Sequence, residues 1–472
     1  MAAMGKIRAQ KTLRAALLAA SMFASAPALA NPANVEDRLA RLEALVEGLI
    51  TRLDAQNGAA AQEDAQLRAE QAEMRAQSAA LLAATRDLQE RQSELANQVA
   101  VPQKQEEQGF RVGKTVVGYA GYVKLDAISQ RTSGGQLPIG SFTREFLFPG
   151  FIPVGGEPSG FDTDFSARQS RFIFTTATDV GAEHTLKSHI ELDFIVTEGG
   201  NKRITNSFTP RLRQAFITYD NWLFGQAWST FQNLRALPDT LDFIGITPGT
   251  VFNRQSQVRW SKGGWHIAVE SPDTVITTQT GGLIEGDNDL APDLVLRYDL
   301  NRPWGHITTA GIARMLRIDD KAMVPEADTA FGYGLSVSGR VNIGKRDNLR
   351  FMVNAGDGIG RYIALNLVND AAIDDRGRLD PIFTLSGYGA YQHFWGKRLR
   401  STVAGSYFKA DNPVQFTTDQ VTDRSWNALA NLIWNPVDPL DIGVEVMYAE
   451  RTLENGRSGN LQRLQFSTRY NF

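Results

Sequence analysis

The sequence predicts an all-β transmembrane barrel of about sixteen antiparallel strands, preceded by an N-terminal α-helical coiled coil. Three observations lead there. An export signal is followed by no apolar run long enough for a spanning helix. From Phe110 to the end, hydrophobic and polar residues alternate with a period of two. The connections between the alternating segments are short and long by turns.

The first thirty residues read as an address. Lys6, Arg8, Lys11 and Arg14 make a basic start, Ala15 to Phe23 is apolar, and Ala28-Leu29-Ala30 supplies small residues for cleavage after Ala30. A spanning helix needs about twenty apolar residues, more than this segment has. No later apolar run reaches that length either. A membrane location then requires a closed barrel, because only helices and barrels satisfy every backbone group in lipid. The chain has no cysteine, which suits passage through an oxidising compartment and excludes a disulfide framework or thiolate metal sites. A formal charge of -3 gives no reason to expect nucleic acid as a partner.

Residues 31–109 form the second segment. Val35, Leu39, Leu42, Val46, Leu49 and Leu53 alternate steps of four and three, the seam of a coiled coil. One core position continues at seven-residue intervals through Ala60, Leu67, Met74, Leu81, Leu88 and Leu95. The other turns polar: Gln56, Glu63, Glu70, Gln77, Ala84, Arg91 and Gln98. Asn57-Gly58 marks a break, and Pro102 ends the helix.

Residues 110–472 are the barrel. Strands are expected over 117–128, 168–178, 184–196, 210–220, 222–229, 252–262, 264–271, 291–300, 305–317, 329–344, 347–358, 382–395, 398–410, 422–435, 440–452 and 461–472. Asp220-Asn221, Lys262-Gly263-Gly264 and Gly396-Lys397 are among the short turns, and the stretch from Ser129 to Asp164 is the longest loop. Outer-membrane barrels are built with short turns on one rim and long loops on the other. In the last strand Leu464, Phe466, Thr468, Tyr470 and Phe472 share one face, and Arg463, Gln465, Ser467, Arg469 and Asn471 the other. The first face suits lipid and the second a water-filled lumen.

The same parity identifies lumen candidates. Phe172 and Phe174 facing lipid leave Arg171 inward, and Leu186, Ile190, Leu192 and Phe194 leave Lys187, His189, Glu191 and Asp193. Leu212 and Phe216 outward leave Arg211 and Arg213. Val258 and Trp260 leave Gln257 and Arg259, and Leu296 and Tyr298 leave Arg297, with Arg314 a weaker candidate. An arginine on the lipid face near the midplane costs about 2–4 kcal/mol. Such a row either draws anions electrostatically or is tied up by Glu191 and Asp193, and parity leaves both open. Thr230 to Val251, the third long connection, sets Arg235, Asp239 and Asp242 among Leu234, Leu237, Leu241, Phe243 and Ile244. A loop so apolar is expected to fold into the barrel and constrict it.

Four stretches carry a resemblance. They are Gly118 to Asp126 (GYAGYVKLD), Gly225 to Phe231 (GQAWSTF), Gly356 to Tyr362 (GDGIGRY) and Asn431 to Pro436 (NLIWNP). With the N-terminal helix they resemble the DcaP-like family of trimeric outer-membrane porins. The resemblance implies a homotrimer in outer-membrane lipid, a periplasmic coiled coil and passive uptake of small anions such as dicarboxylates, with no cofactor.

Other functions fare worse. No HExxH, GxSxG or phosphate-binding loop appears. His184 and His189 are an odd number of residues apart and face opposite sides of a strand, which argues against an enzyme. A tether with the barrel as a mere anchor needs no arginine-lined lumen. A sugar channel wants an aromatic slide, and only Tyr122 and Trp228 are candidate inward aromatics.

Overall fold

The computed structural model describes residues 47–48, 109–181, 184–196, 205–286, 288–320, 324 and 326–472. Residues 47 and 48 are helical. The remainder of the expected coiled coil and the whole export signal lie outside the described residues.

Sixteen strands form the wall: β1 Thr115–Thr132, β2 Arg171–Gly181, β3 His184–Asp193, β4 Arg211–Tyr219, β5 Trp222–Trp228, β6 Arg254–Lys262, β7 Trp265–Glu270 and β8 Asp293–Arg302. They continue with β9 Gly305–Ile318, β10 Asp328–Ile343, β11 Asp347–Asp357, β12 Phe383–Phe394, β13 Leu399–Asp411, β14 Thr422–Val437, β15 Leu440–Leu453 and β16 Ser458–Asn471. Each pairs antiparallel with its sequence neighbours. β1 pairs with β16 from Tyr122↔Asn471 to Thr132↔Leu461 and closes the barrel. Gly121 and Phe472 exchange both backbone hydrogen bonds at 3.0 Å, so the last residue completes the seam.

Two local features depart from simple alternation. The strand beside β1 is broken. Asp162–Ser166 pairs with β1 from Asp126 to Gln130, and β2 takes over below it, from Arg171. In the gap, Ser170 Oγ accepts the Lys124 N–H. The second departure is a register shift in β4. Glu191 faces Gln214 and Leu192 faces Leu212, so Arg213 is the extra residue of a bulge. Beyond it the parity reverses. Phe216 lies opposite His189 on the inner face, its ring stacked on the imidazole with centroids 4.9 Å apart. The expectation that Phe216 faces lipid is corrected by this bulge.

The outer wall is apolar and exposed: Val123, Leu125, Phe174, Ile190, Leu296, Val353, Val403, Val446, Leu464 and Phe466 all point outward. The inner wall differs from the water-filled lumen expected. Val295, Ile312, Met352, Phe408, Leu429 and Met447 are inward and buried. They pack against three long loops folded into the barrel: L1 (133–170), L3 (229–253) and L6 (358–382). Much of the lumen is therefore a packed core, which strand parity alone cannot distinguish from an aqueous one.

Candidate functional site: the occupied lumen

L3 crosses the lumen and is held from the wall by side chains that reach its backbone. The Tyr388 hydroxyl donates to Ala236 O at 2.9 Å, and the loop's own Asn233 side chain reaches back to the Ser338 hydroxyl at 3.0 Å. Arg350 donates to Leu237 O, and Asn431 to Asp239 O at 2.8 Å. Lys124 and Gln465 both donate to Leu241 O, at 2.7 and 2.9 Å. The Glu445 carboxylate accepts the N–H groups of Leu241 and Asp242 at 2.8 and 3.0 Å. These donors and acceptors stand on β1, β10–β12 and β14–β16. The loop carries no ladder of its own, so the wall satisfies backbone groups that burial would otherwise leave costly.

The three charged L3 residues part company. Asp242 pairs with Arg463 at 2.6 Å, both side chains buried, and accepts the Leu147 N–H at 2.9 Å. Asp239 pairs with Arg400 and accepts from Gln392 at 3.1 Å. Arg235 lies apart from both, half-exposed, donating to Asn301 at 2.7 Å and standing 3.4 Å from Asp299.

The lumen candidates on β2–β4 form one sealed ionic cluster. Arg171 Nη1 is 3.0 Å from Glu191, and Arg213 bridges Glu191 at 2.9 Å and Asp193 at 2.7 Å. Arg211 binds Asp193 with both prongs, at 2.9 and 2.8 Å. Arg171, Arg213, Glu191 and Asp193 are fully buried. The Phe243 ring of L3 caps the cluster, 6.0 Å from the Arg171 guanidinium carbon and 5.8 Å from that of Arg213. Lys187 shares the inward parity but is exposed, close to the short-turn rim.

Arg297 binds Asp299 at 2.9 Å and donates to Gln232 O of L3 at 2.5 Å. Arg259 and Arg340 have no carboxylate within ion-pair distance among the described residues. Arg340 lies opposite His306 on the neighbouring strand, and His306 lies opposite Asn301, which accepts from Arg235. On the turn side of the lumen, then, Arg235 and Arg297 share Asp299, and Arg259 and Arg340 lie outside any ion pair among the described residues. Arg340 was missed in the sequence. Its signal was its place beside Val341 in the tenth strand, the same parity that singles out Arg259.

Toward the long-loop ends of β6 and β8, L6 is anchored by Tyr362, which donates to Asp293 at 2.7 Å and accepts from Gln255 at 2.6 Å. Burial, with Asp293 and Glu270 adding to it, raises this phenol well above its ordinary value, so it stays a hydrogen-bond donor. Arg314 pairs with Asp293 at 3.0 Å and Asp370 at 2.8 Å. Tyr122 is inward and buried, and Trp228 is buried under Arg254, so no aromatic row lines an open path here. Among the described residues no group of three or more histidine, aspartate or glutamate side chains is placed to hold a metal.

A closed wall of sixteen antiparallel strands, an apolar outer face and a third loop folded inside define a porin-type outer-membrane channel. The model of the family described as DcaP outer membrane protein matches residues 149–472, and the chain belongs to that family. The outer-membrane channel DcaP of Acinetobacter baumannii has a similar fold, with TM-score 0.62 and 20% identity over 77% of this chain and 99% of that one. OmpT of Vibrio cholerae gives TM-score 0.46 and 11% identity, covering 77% and 100%. OmpF of Salmonella typhi, in complex with daunomycin, gives 0.45 and 8%, covering 76% and 98%. No curated protein sequence matches the chain.

Proposed function

We propose that the channel passes small hydrophilic solutes by passive diffusion and prefers small anions such as dicarboxylates. The observation that supports the preference is the turn-side half of the lumen, where Arg235 and Arg297 share the Asp299 carboxylate and Arg259 and Arg340 stand outside any ion pair among the described residues. Short turns face the periplasm in this class, so a solute meets these groups as it leaves L3. Arg171, Arg211 and Arg213 contribute less, because Glu191 and Asp193 neutralise most of their charge. Two unit charges 4 Å apart interact by about 1 kcal/mol in bulk water and several-fold more where water is confined.

The test is the reversal potential across a KCl gradient. Anion preference at low salt is expected, weakening towards 1 M, where the Debye length falls to about 3 Å. Arg259→Ala with Arg340→Ala should lose most of it, and Arg211→Ala with Arg213→Ala should lose less. Cation preference in the wild type would overturn the anion assignment. The chain is further read as a homotrimer in the outer membrane, with residues 1–30 an export signal and 31–109 a periplasmic coiled coil. Support for a partner comes from the wall itself. β5 has 7 residues and β7 has 6, against 16 in β10 and β14. A strand tilted about 45° needs about 9–11 residues to span the hydrocarbon, so this stretch of wall calls for cover other than lipid.

A further inference from the structure

L1 dips into the barrel between two exposed corners. Residues 138–140 and 155–158 are exposed, whereas nearly everything from Phe142 to Ile152 is buried. Gly140 and Gly155 sit at the corners with φ of +75° and +87°, a backbone region that side chains with a Cβ rarely adopt. At Gly155 a Cβ would also collide with the Arg457 guanidinium. The backbone–backbone hydrogen bonds of 141–152 close its own two one-turn helices, Phe142–Arg144 and Pro149–Phe151, and one turn from Ser141 back to Pro138 O. It belongs to no ladder.

The dipping segment presents phenylalanines to L3. Phe142, Phe146 and Phe148 are buried in one cluster with Phe243 and Ile244 of L3 and Leu365 of L6. Phe146 and Phe243 have ring centroids 5.4 Å apart, and Phe243 in turn covers Arg171 and Arg213. Moving from the long-loop rim inward, the order is strap, L3, ionic cluster. The strap is tied down by side chains along its length, among them a buried Glu145–Arg168 ion pair at 2.9 Å, Arg144 paired with Asp162 at 3.2 Å, and Thr247 donating to Leu147 O at 3.1 Å. Arg463 donates to Phe146 O at 3.2 Å, Gln130 to Arg144 O at 2.9 Å and Arg451 to Gly150 O at 2.5 Å, and the Leu147 N–H reaches Asp242 at 2.9 Å.

We propose that residues 141–154 are a hinged, phenylalanine-rich strap that closes the long-loop mouth and must swing out about Gly140 and Gly155 before a solute passes. A segment outside any ladder, flanked by glycine corners, moves without breaking a strand pairing. While it is seated, the Arg171 cluster is sealed from water, and a hydrophilic solute meets phenylalanine where it needs hydrogen-bond partners. The proposal rests on the channel reading above and adds a gate to it.

The absence of cysteine from the sequence gives a clean background for the test. Phe146→Cys places a thiol where the side chain is fully buried with the strap seated. An anionic methanethiosulfonate is added on the long-loop side of a planar bilayer while current is recorded, and modification is read by mass. The expected result is modification accompanied by a stepwise, lasting rise in current that dithiothreitol reverses, because the added sulfonate cannot be reburied. Phe148→Ser, measured without reagent, should spend a larger fraction of time open than the wild type. An unmodified thiol in channels that conduct normally, modification that leaves the current unchanged, or a Phe148→Ser open fraction equal to wild type would overturn the gate. A wild type that passes no solute under any condition removes the channel reading, and the strap with it.

Discussion

The five charges Arg171, Glu191, Arg213, Asp193 and Arg211 show what a barrel does with polar residues it hides. Three guanidinium groups share two carboxylates, and the Tyr122 and Phe243 rings lie 5.3 and 6.0 Å from the Arg171 guanidinium carbon. Removing one carboxylate from such a set leaves charge buried and unpaired, which costs about 3–5 kcal/mol. Glu191→Gln is therefore expected to lower the unfolding midpoint clearly, measured as the temperature at which the barrel loses its compact migration on a gel. Adding Arg171→Met should recover much of that loss, since the leftover charge goes with it. A Glu191→Gln barrel as stable as wild type would mean that water reaches the cluster. Parity alone placed these residues on the inner face but could not pair them, because pairing depends on register between strands. The bulge at Arg213 did leave a trace: Arg213 and Gln214 are adjacent polar residues in an alternating strand. Two polar residues in succession mark an inserted position, and counting it turns Phe216 to the inner face.

L3 shows the same balance at the scale of an element. Its apolar residues and its place after β5 made an inward fold legible in the sequence, and the segment from 229 to 253 is almost wholly buried. The carbonyl groups it offers to Lys124, Arg350, Tyr388, Asn431 and Gln465 were not legible, since each partner lies more than a hundred residues away. Gly249 marks how closely the loop approaches the wall, because a Cβ there would lie 2.2 Å from Gly387 O. Removing 234–244 should raise single-channel conductance, and the rise should be larger when Phe148→Ser is added, because L1 rests on the same loop. The deletion also orphans donors on the wall, at about 1–3 kcal/mol for each that water does not reach, so the shortened barrel should unfold at lower temperature. Unchanged conductance would place the conducting path away from L3. L1 and L6 were read only as long connections. The apolar signal that places L3 inward is also present in L1, from Phe142 to Ile152, and in L6, from Ile359 to Val368, so their inward fold is legible on the same ground.

The whole molecule is decided by closure. Sixteen strands and their alternating connections could be read from period two and turn chemistry, because every wall strand must show lipid an apolar face whatever fills the lumen. Closure itself is contained between Thr115 and Phe472: β1 and β16 pair over eleven positions, from Tyr122↔Asn471 to Thr132↔Leu461, and Phe472 exchanges hydrogen bonds with Gly121. Every pairing position of that seam lies within 121–132 and 461–472. A chain carrying the export signal but lacking 31–101 is thus expected to insert and close as a barrel. The proposed trimer should survive with it, because the short wall of β5 and β7 still needs cover, but at a lower dissociation temperature, because the heptads from Val35 to Leu53 no longer add their association. Native mass spectrometry in detergent and a temperature series on semi-native gels separate the outcomes. Trimers that dissociate earlier than the full-length protein are the expected result. Monomers from the shortened chain would assign trimerisation to the helix alone, and a monomeric full-length protein would remove the trimer altogether.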